Sequence, residues 1–460
     1  MNNKIIFLFI LSLCLRLQPL TAQQFKLLRY NEDYSYLSKD SSGNWYNKIK
    51  YLPLFHKDRF YLSFGGEARY EYAATSHEDW QKNGEGNNHL LLQRYNLHAD
   101  LHLGQYVRVF AQLSSALESL SKLDPSPVNK DELNVQNLFV DVRLKTWERE
   151  KRSVTVRAGR QELDYGTGRL ISVREGTNVR KYFTGGKLMY KAPAFGVDIF
   201  AMMDDKVNPG IFDNKPTHEI NLWGAYSYVI IPRQGNLDIY YLGYHKDDAT
   251  FEEGTANETR HTVAVRYWKY GNGFIYNLES AYQFGTFGDG HISAWTTAVD
   301  IGYSFENALY KPSINLRNDY ISGDKTPGDG RLGTFNPLYP KGGYFGFNPR
   351  IGPANLIDLH PYGTLTFSDR FSTQADVVFN WRYSTGDGIY RPSGSFNMPG
   401  AGSNERYIGT AYLLSAEYVF SKFIKLSCGA QYFNTGAFID QQITPSANSF
   451  FINTHLSFKF

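Results

Sequence analysis

Phe450-Phe451-Ile452-Asn453-Thr454-His455-Leu456-Ser457-Phe458-Lys459-Phe460 alternates without a break. Phe450, Ile452, Thr454, Leu456, Phe458 and Phe460 share one face, and Phe451, Asn453, His455, Ser457 and Lys459 share the other. Successive side chains of a strand point to opposite sides, so this stretch is a β-strand with one oily face. A strand at the end of a chain needs a partner on each edge, because an open edge leaves a row of unpaired backbone donors and acceptors. A sheet closed on itself with an oily outside is a transmembrane barrel.

The same alternation recurs back along the chain, near 60–72, 91–103, 106–114, 133–145, 154–161, 185–192, 195–203, 219–229, 236–245, 259–268, 274–284, 292–303, 311–320, 356–367, 371–382, 407–420 and 423–432. The connections differ by parity. Those after even-numbered strands are mostly short, such as Gly104-Gln105, Pro193-Ala194 and Ser421-Lys422. Those after odd-numbered strands are mostly long: 73–90, 115–132, 162–184, 204–218, 246–258, 321–355, 383–406 and 433–449. Short turns on one rim and long loops on the other predict an all-β fold, a transmembrane antiparallel β-barrel of about eighteen strands in the bacterial outer membrane, with periplasmic turns and extracellular loops.

Three domains are expected: an export signal over 1–22, a periplasmic amino-terminal segment over 23–59, and the barrel over 60–460. The signal rests on Lys4, the apolar run Ile5 to Leu15, and Leu20-Thr21-Ala22 before the cut. Cutting there removes Lys4 and Arg16 and takes the formal charge from +3 to about +1, which gives no bulk attraction for nucleic acid. Cys428 is then alone, so no internal disulfide can form. No later segment has eighteen uninterrupted apolar residues, so no conventional membrane helix is expected. The 34 Tyr and 32 Phe suit the aromatic girdles of an outer-membrane barrel.

Parity assigns the polar face to the lumen, because sustained charge against lipid is costly. Arg69, Arg94, Arg108, Arg143, Lys145, Arg157, Arg317 and Arg382 are the expected luminal cations, and Glu67, Glu71, Asp100, Asp141, Asp198, Asp319 and Asp376 the acids that face them. Charge rings select ions by sign, whereas cross-strand pairs merely fill a wet interior. Thr155, Arg157, Gly159 and Gln161 form one face with no acid among them, which makes Arg157 the leading candidate for an anion preference. His98 and His102 are four residues apart on a strand, about 13 Å, too far to share a metal. Asp324 and Asp329 lack the ligand spacing of a calcium loop, and no GxSxG, HExxH or Walker signature occurs, so neither catalytic residues nor cofactors are expected. The 321–355 loop carries Phe335, Tyr339, Tyr344, Phe345 and Phe347, which could constrict the pore, stack on sugar rings, or pack outside.

One stretch, Val156-Arg157-Ala158-Gly159-Arg160-Gln161-Glu162-Leu163-Asp164-Tyr165-Gly166, continues in Gly168-Arg169-Leu170 and Asn178-Val179-Arg180. With Arg260-His261-Thr262 and Thr334-Phe335-Asn336-Pro337-Leu338-Tyr339-Pro340, it resembles the alginate-export family of outer-membrane proteins, from about residue 60 to the end. The resemblance implies an eighteen-stranded monomeric barrel and an arginine-rich constriction for an anionic polysaccharide. On the matched residues, it adds Arg160 and Arg169 to Arg157. The alginate exporter also has a long plug-forming periplasmic turn, where this chain has only Ser421-Lys422.

The expected function is a passive channel for export or diffusion of an anionic or polar polysaccharide or small solute. The alternatives are a porin for a non-saccharide solute and an outer-membrane barrel enzyme. Expected partners are the lipid bilayer, the solute, the barrel-assembly machinery and periplasmic export components. The short stretch before the first strand argues against a plug-bearing, energy-coupled receptor.

Overall fold

The computed structural model describes residues 25–460 except 56–58, 83, 85 and 272, so the export signal lies outside the described residues. Eighteen long strands follow one another: β1 Phe60–Ser76, β2 Asn87–Leu103, β3 Val107–Ser119, β4 Asp131–Trp147, β5 Arg152–Gln161, β6 Phe183–Lys191, β7 Phe195–Lys206, β8 Lys215–Ile231 and β9 Gly235–Phe251; then β10 Gly254–Lys269, β11 Gly273–Phe287, β12 Gly290–Ser304, β13 Ser313–Ile321, β14 Leu356–Ser368, β15 Phe371–Arg382, β16 Tyr407–Val419, β17 Ile424–Thr435 and β18 Ser449–Lys459. Each pairs antiparallel with the next. β18 closes on β1 from Lys459 opposite Glu67 to Phe450 opposite Ser76, so the barrel has no free edge there.

The period of two sorts the side chains as expected. On β2, Arg94, Asn96, His98 and Asp100 are buried inside, while Tyr95, Leu97, Ala99 and Leu101 turn outward. Leu97, Val140, Ile199, Ile239, Val263 and Leu414 form part of the exposed apolar belt. Exposed Phe274, Tyr303, Phe305 and Phe420 mark its periplasmic rim, and Tyr282, Tyr320, Tyr432 and Phe450 the opposite rim.

One expected loop is absent. Residues 246–258 belong instead to β9 and β10, which run on to a two-residue turn. A bulge between Lys246 and Ala249, with Asp248 in the left-handed region (φ 52°), breaks the alternation and makes a continuing strand look finished.

Two connecting segments take up much of the interior. The 322–355 segment folds into the barrel, where Phe335, Leu338, Tyr339 and Phe345 pack with Leu222, Tyr240, Tyr244, Ala264 and Ala294 of the inner wall. The 162–182 segment also turns inward and buries Leu163, Leu170 and Ile171 in the same core. The two segments meet in a parallel bridge: Tyr339 N donates to Leu170 O at 2.9 Å, and Ser172 N to Tyr339 O at 2.9 Å.

Residues 25–55 lie at the periplasmic end, against the inner wall. Their helix α1, Trp45–Lys50, starts where Asn44 accepts from Tyr46 N at 2.8 Å, a cap that satisfies one of the free first-turn donors. Tyr46 packs on Phe423 of the β16–β17 turn (ring centroids 5.2 Å apart), and the Lys422 ammonium sits 4.2 Å from the Tyr46 ring centre. Thus the short turn at 421–422 makes no plug; the amino-terminal segment occupies the mouth beside it.

Candidate functional site: a divided lumen

With 322–355 packed on the β8–β12 wall, the remaining space lies mainly along β2 to β7, where two cavities flank the 162–182 segment. The inner cavity, about 710 Å³, opens among the periplasmic turns and is lined by Leu163, Asp164 and Tyr165 of that segment. The outer cavity, about 310 Å³, is lined by Arg174, Val179, Arg180 and Lys181 together with Asp204, Asp205 and Lys206.

A belt of charge crosses the inner cavity wall. The register sets Arg108 opposite Asp141, Asp141 opposite Arg157, and Arg157 opposite Lys187. Arg108 reaches Asp100 at 2.7 Å, Arg157 grips Asp141 with two bonds of 2.7 and 2.8 Å, and Lys187 reaches Asp198 at 3.2 Å. Bidentate guanidinium–carboxylate pairs are among the strongest charge-assisted bonds. Arg157 therefore faces inward as expected, but an acid does oppose it. It comes from the neighbouring strand, which inspection of β5 alone overlooks. Nor does Gly159 make room for the guanidinium: a Cβ there would lie 2.3 Å from Leu138 O, so the glycine permits close backbone approach. The cavity lining holds six cations (Arg59, Arg108, Arg143, Arg157, Lys187, Lys191) and six carboxylates (Glu32, Asp33, Asp141, Glu148, Asp164, Asp198).

Two of the expected cations hold the 162–182 segment in place. Arg69 donates to the carbonyls of Glu175 and Thr177 at 2.9 and 3.1 Å, and Arg94 bonds Glu67 at 2.9 Å and Glu175 at 2.6 Å. Burial would raise the Glu175 carboxyl, yet the Arg94 and Arg180 guanidiniums hold it down at about 2. Arg180 also grips Glu162 at 2.9 Å. On the far wall, Arg169 pins the segment to Asp319 at 2.6 Å, and Arg317 pairs with Asp300 at 3.1 Å.

Three expected luminal cations lie elsewhere. The bulge after Arg143 sets Lys145 opposite outward-facing Val154, with its ammonium 4.7 Å from the Trp147 ring centre. Arg160 has the outward parity of Val156 and Ala158; it bonds Asp205 at 2.6 Å and the Asn214 carbonyl under the 207–214 turn. Arg382 is fully buried and spends its donors on the carbonyls of Thr385, Asp387, Gly400, Ser403 and Glu405. It organises the 383–406 loop and does not line the water path. The expected constriction loop does enter the barrel, but Phe335, Tyr339 and Phe345 are buried in its packing. Tyr339 bonds Asp204 at 2.8 Å and meets Phe183 edge to face. These rings are not open to stack on sugars. The Tyr344 side chain lies outside the described residues.

Arg143 and Arg174 make no ion pair among the described residues; they line the inner and outer cavities respectively. Burial draws the Arg174 pKa down. Sequence reasoning missed Arg174, Glu175 and Lys187. Only Lys187 carried a signal, its parity with Phe183 and Met189 on β6.

A family model described as alginate export matches residues 60–453. No curated protein matches the chain. Among solved structures, Acinetobacter baumannii OccAB1 is similar at 14% identity and a TM-score of 0.58, over 90% of this chain and 99% of that one. Pseudomonas aeruginosa OccK3 is similar at 11% identity and 0.58, over 87% and 95%. OccK2 of the same organism, in complex with glucuronate, is similar at 10% and 0.54, over 87% and 96%.

Proposed function

The chain belongs to the alginate-export family, an outer-membrane β-barrel of porin-like fold, and from that premise we propose that it is a passive channel for small anionic or polar solutes. The division of its lumen carries this reading. Cavities of about 710 and 310 Å³ fall in the range of roughly 300–1,000 Å³ that suits a single small ligand, and they favour one solute at a time over a polymer. Arg143 and Arg174, one in each cavity and neither held by a carboxylate, support the preference for anions. The glucuronate bound by OccK2 makes a monomeric sugar acid a reasonable first solute to try. Barrel-assembly machinery would insert the chain, and periplasmic export components are needed only if the cargo is a polymer.

Purified protein in liposomes tests this directly. A uronic-acid monomer should swell the vesicles and its tetramer should not; equal rates for both would point to polymer export. Absence of conductance in planar bilayers would end the channel reading altogether.

A further inference from the structure

Tyr30 sits where four elements converge. Its ring packs edge-on against Phe110 of β3 and Phe139 of β4, with centroids 5.8 and 5.2 Å away. The Arg157 guanidinium of β5 lies 4.4 Å from the ring centre and 3.7 Å from that of Phe139. Its hydroxyl donates to Glu162 O at 2.6 Å, and its own carbonyl accepts from Arg108 at 2.6 Å. The residues beside it are tied as firmly. Leu27 O accepts from Arg180 at 3.0 Å, while Arg29 donates to Gly66 O at 3.0 Å and Phe460 O at 2.8 Å.

The amino-terminal segment is therefore bonded, through the neighbouring residues Leu27, Arg29 and Tyr30, both to the barrel seam and to both ends of the 162–182 segment, which divides the lumen. We propose that residues 25–51 are a strap that sets the bore from the periplasmic side, with Tyr30 as its positioning residue. The strap props the dividing segment at Glu162 and Arg180 and clamps Arg157 flat against the wall. Without it, the segment loses its periplasmic support and the inner cavity widens. This rests on the channel reading, because a bore matters only if solute passes.

Single-channel conductance of the unaltered protein tests the channel reading alone. For the strap, Tyr30→Ala should at least double the conductance and admit a trisaccharide that the unaltered protein retards, in barrels that remain heat-modifiable. Tyr30→Phe keeps the ring over Arg157 and loses only the bond to Glu162 O, so it should raise the conductance by less than Tyr30→Ala does. A protease site placed at the exposed Ser41-Ser42-Gly43 turn and cut after folding gives a second arm that does not depend on assembly. Cutting, followed by washing the freed amino-terminal piece off the folded barrel, should raise conductance as Tyr30→Ala does. If cut protein and every Tyr30→Ala barrel that folds keep the original conductance and cut-off, the strap has no part in setting the bore.

Discussion

Replacing Arg157 by Gln should make the channel more cation-selective, and the reason lies in Asp141. The guanidinium holds both oxygens of that carboxylate; once it is gone, the remaining ion pair of Asp141 among the described residues is with Arg108, at 3.7 Å. The lining of the inner cavity then has five cations against the six carboxylates. One uncompensated charge about 5 Å from a permeating ion is worth roughly 0.8 kcal/mol in a water-like medium and about 3 kcal/mol at an effective dielectric constant of about 20. The smaller figure already corresponds to about a fourfold change in partition. Reversal potentials under a salt gradient should therefore show the cation-to-anion permeability ratio rising at least about fourfold in Arg157→Gln and falling by a similar factor in Asp141→Asn. The double variant should return to within about twofold of the original. Stability should follow the same cycle, since removing one partner of a buried pair costs about 3–5 kcal/mol and removing both costs far less. Single variants that keep the original ratio would show that the permeating ion never approaches this belt, and the path would have to be redrawn.

The strap offers a pH test. Lys50 is buried with no hydrogen-bond partner for its ammonium among the described residues, and that ammonium lies over the rings of Tyr34 and Tyr46; burial first and Arg29 second push its pKa from 10.5 down to about 7. Because the docked form prefers neutral lysine, docking should tighten as pH rises from about 7 towards 10.5 and show no such dependence below 7. Lys50→Met should remove that slope, as read by proteolysis of the strap. Arg382→Gln strands five loop carbonyls, so the 383–406 loop should become open to proteases on intact cells while ion selectivity stays unchanged. Phe460→Ser should lower the yield of heat-modifiable barrel, because it keeps the 3.0 Å backbone bonds with Gly66 but loses the ring that ends the oily face of β18.

Much of the barrel could be read from alternation alone, and the failures have local physical causes. β2 and β18 show their two faces because nothing interrupts their period. β9 appeared to stop early because a bulge shifts the parity at Asp247-Asp248. Arg157 could be placed inside by its own strand, but its pairing with Asp141 depends on the register between two strands, which a turn and a bulge between Arg143 and Lys145 decide. Arg160 lies off the lumen because its parity on β5, the same as that of Val156 and Ala158, turns it outward whatever its motif likeness. Arg382 had the right parity and the wrong surroundings, since no strand pattern reveals that a loop will wrap its carbonyls around a guanidinium. The docking of residues 25–51 carried no signal at all, because it is built from single contacts at large sequence separation, such as Arg29 on Phe460.

The bridge between Leu170–Ser172 and Tyr339 makes the two inward segments one mechanical body. Each is anchored to a different arc of the wall, 162–182 chiefly through Arg69, Arg94 and Arg169 and 322–355 through its apolar packing, so neither can swing without tearing backbone bonds to the other. Thermal fluctuation of the passage is then all-or-none: current records should show one blocked level with a single dwell-time distribution, not two independent flickers superimposed. The same linkage limits how such a barrel can diverge. An insertion in one segment must be matched by a change in the other, so new solute preferences should arise more readily from wall residues such as Arg143 and Lys187 than from exchange of either segment alone.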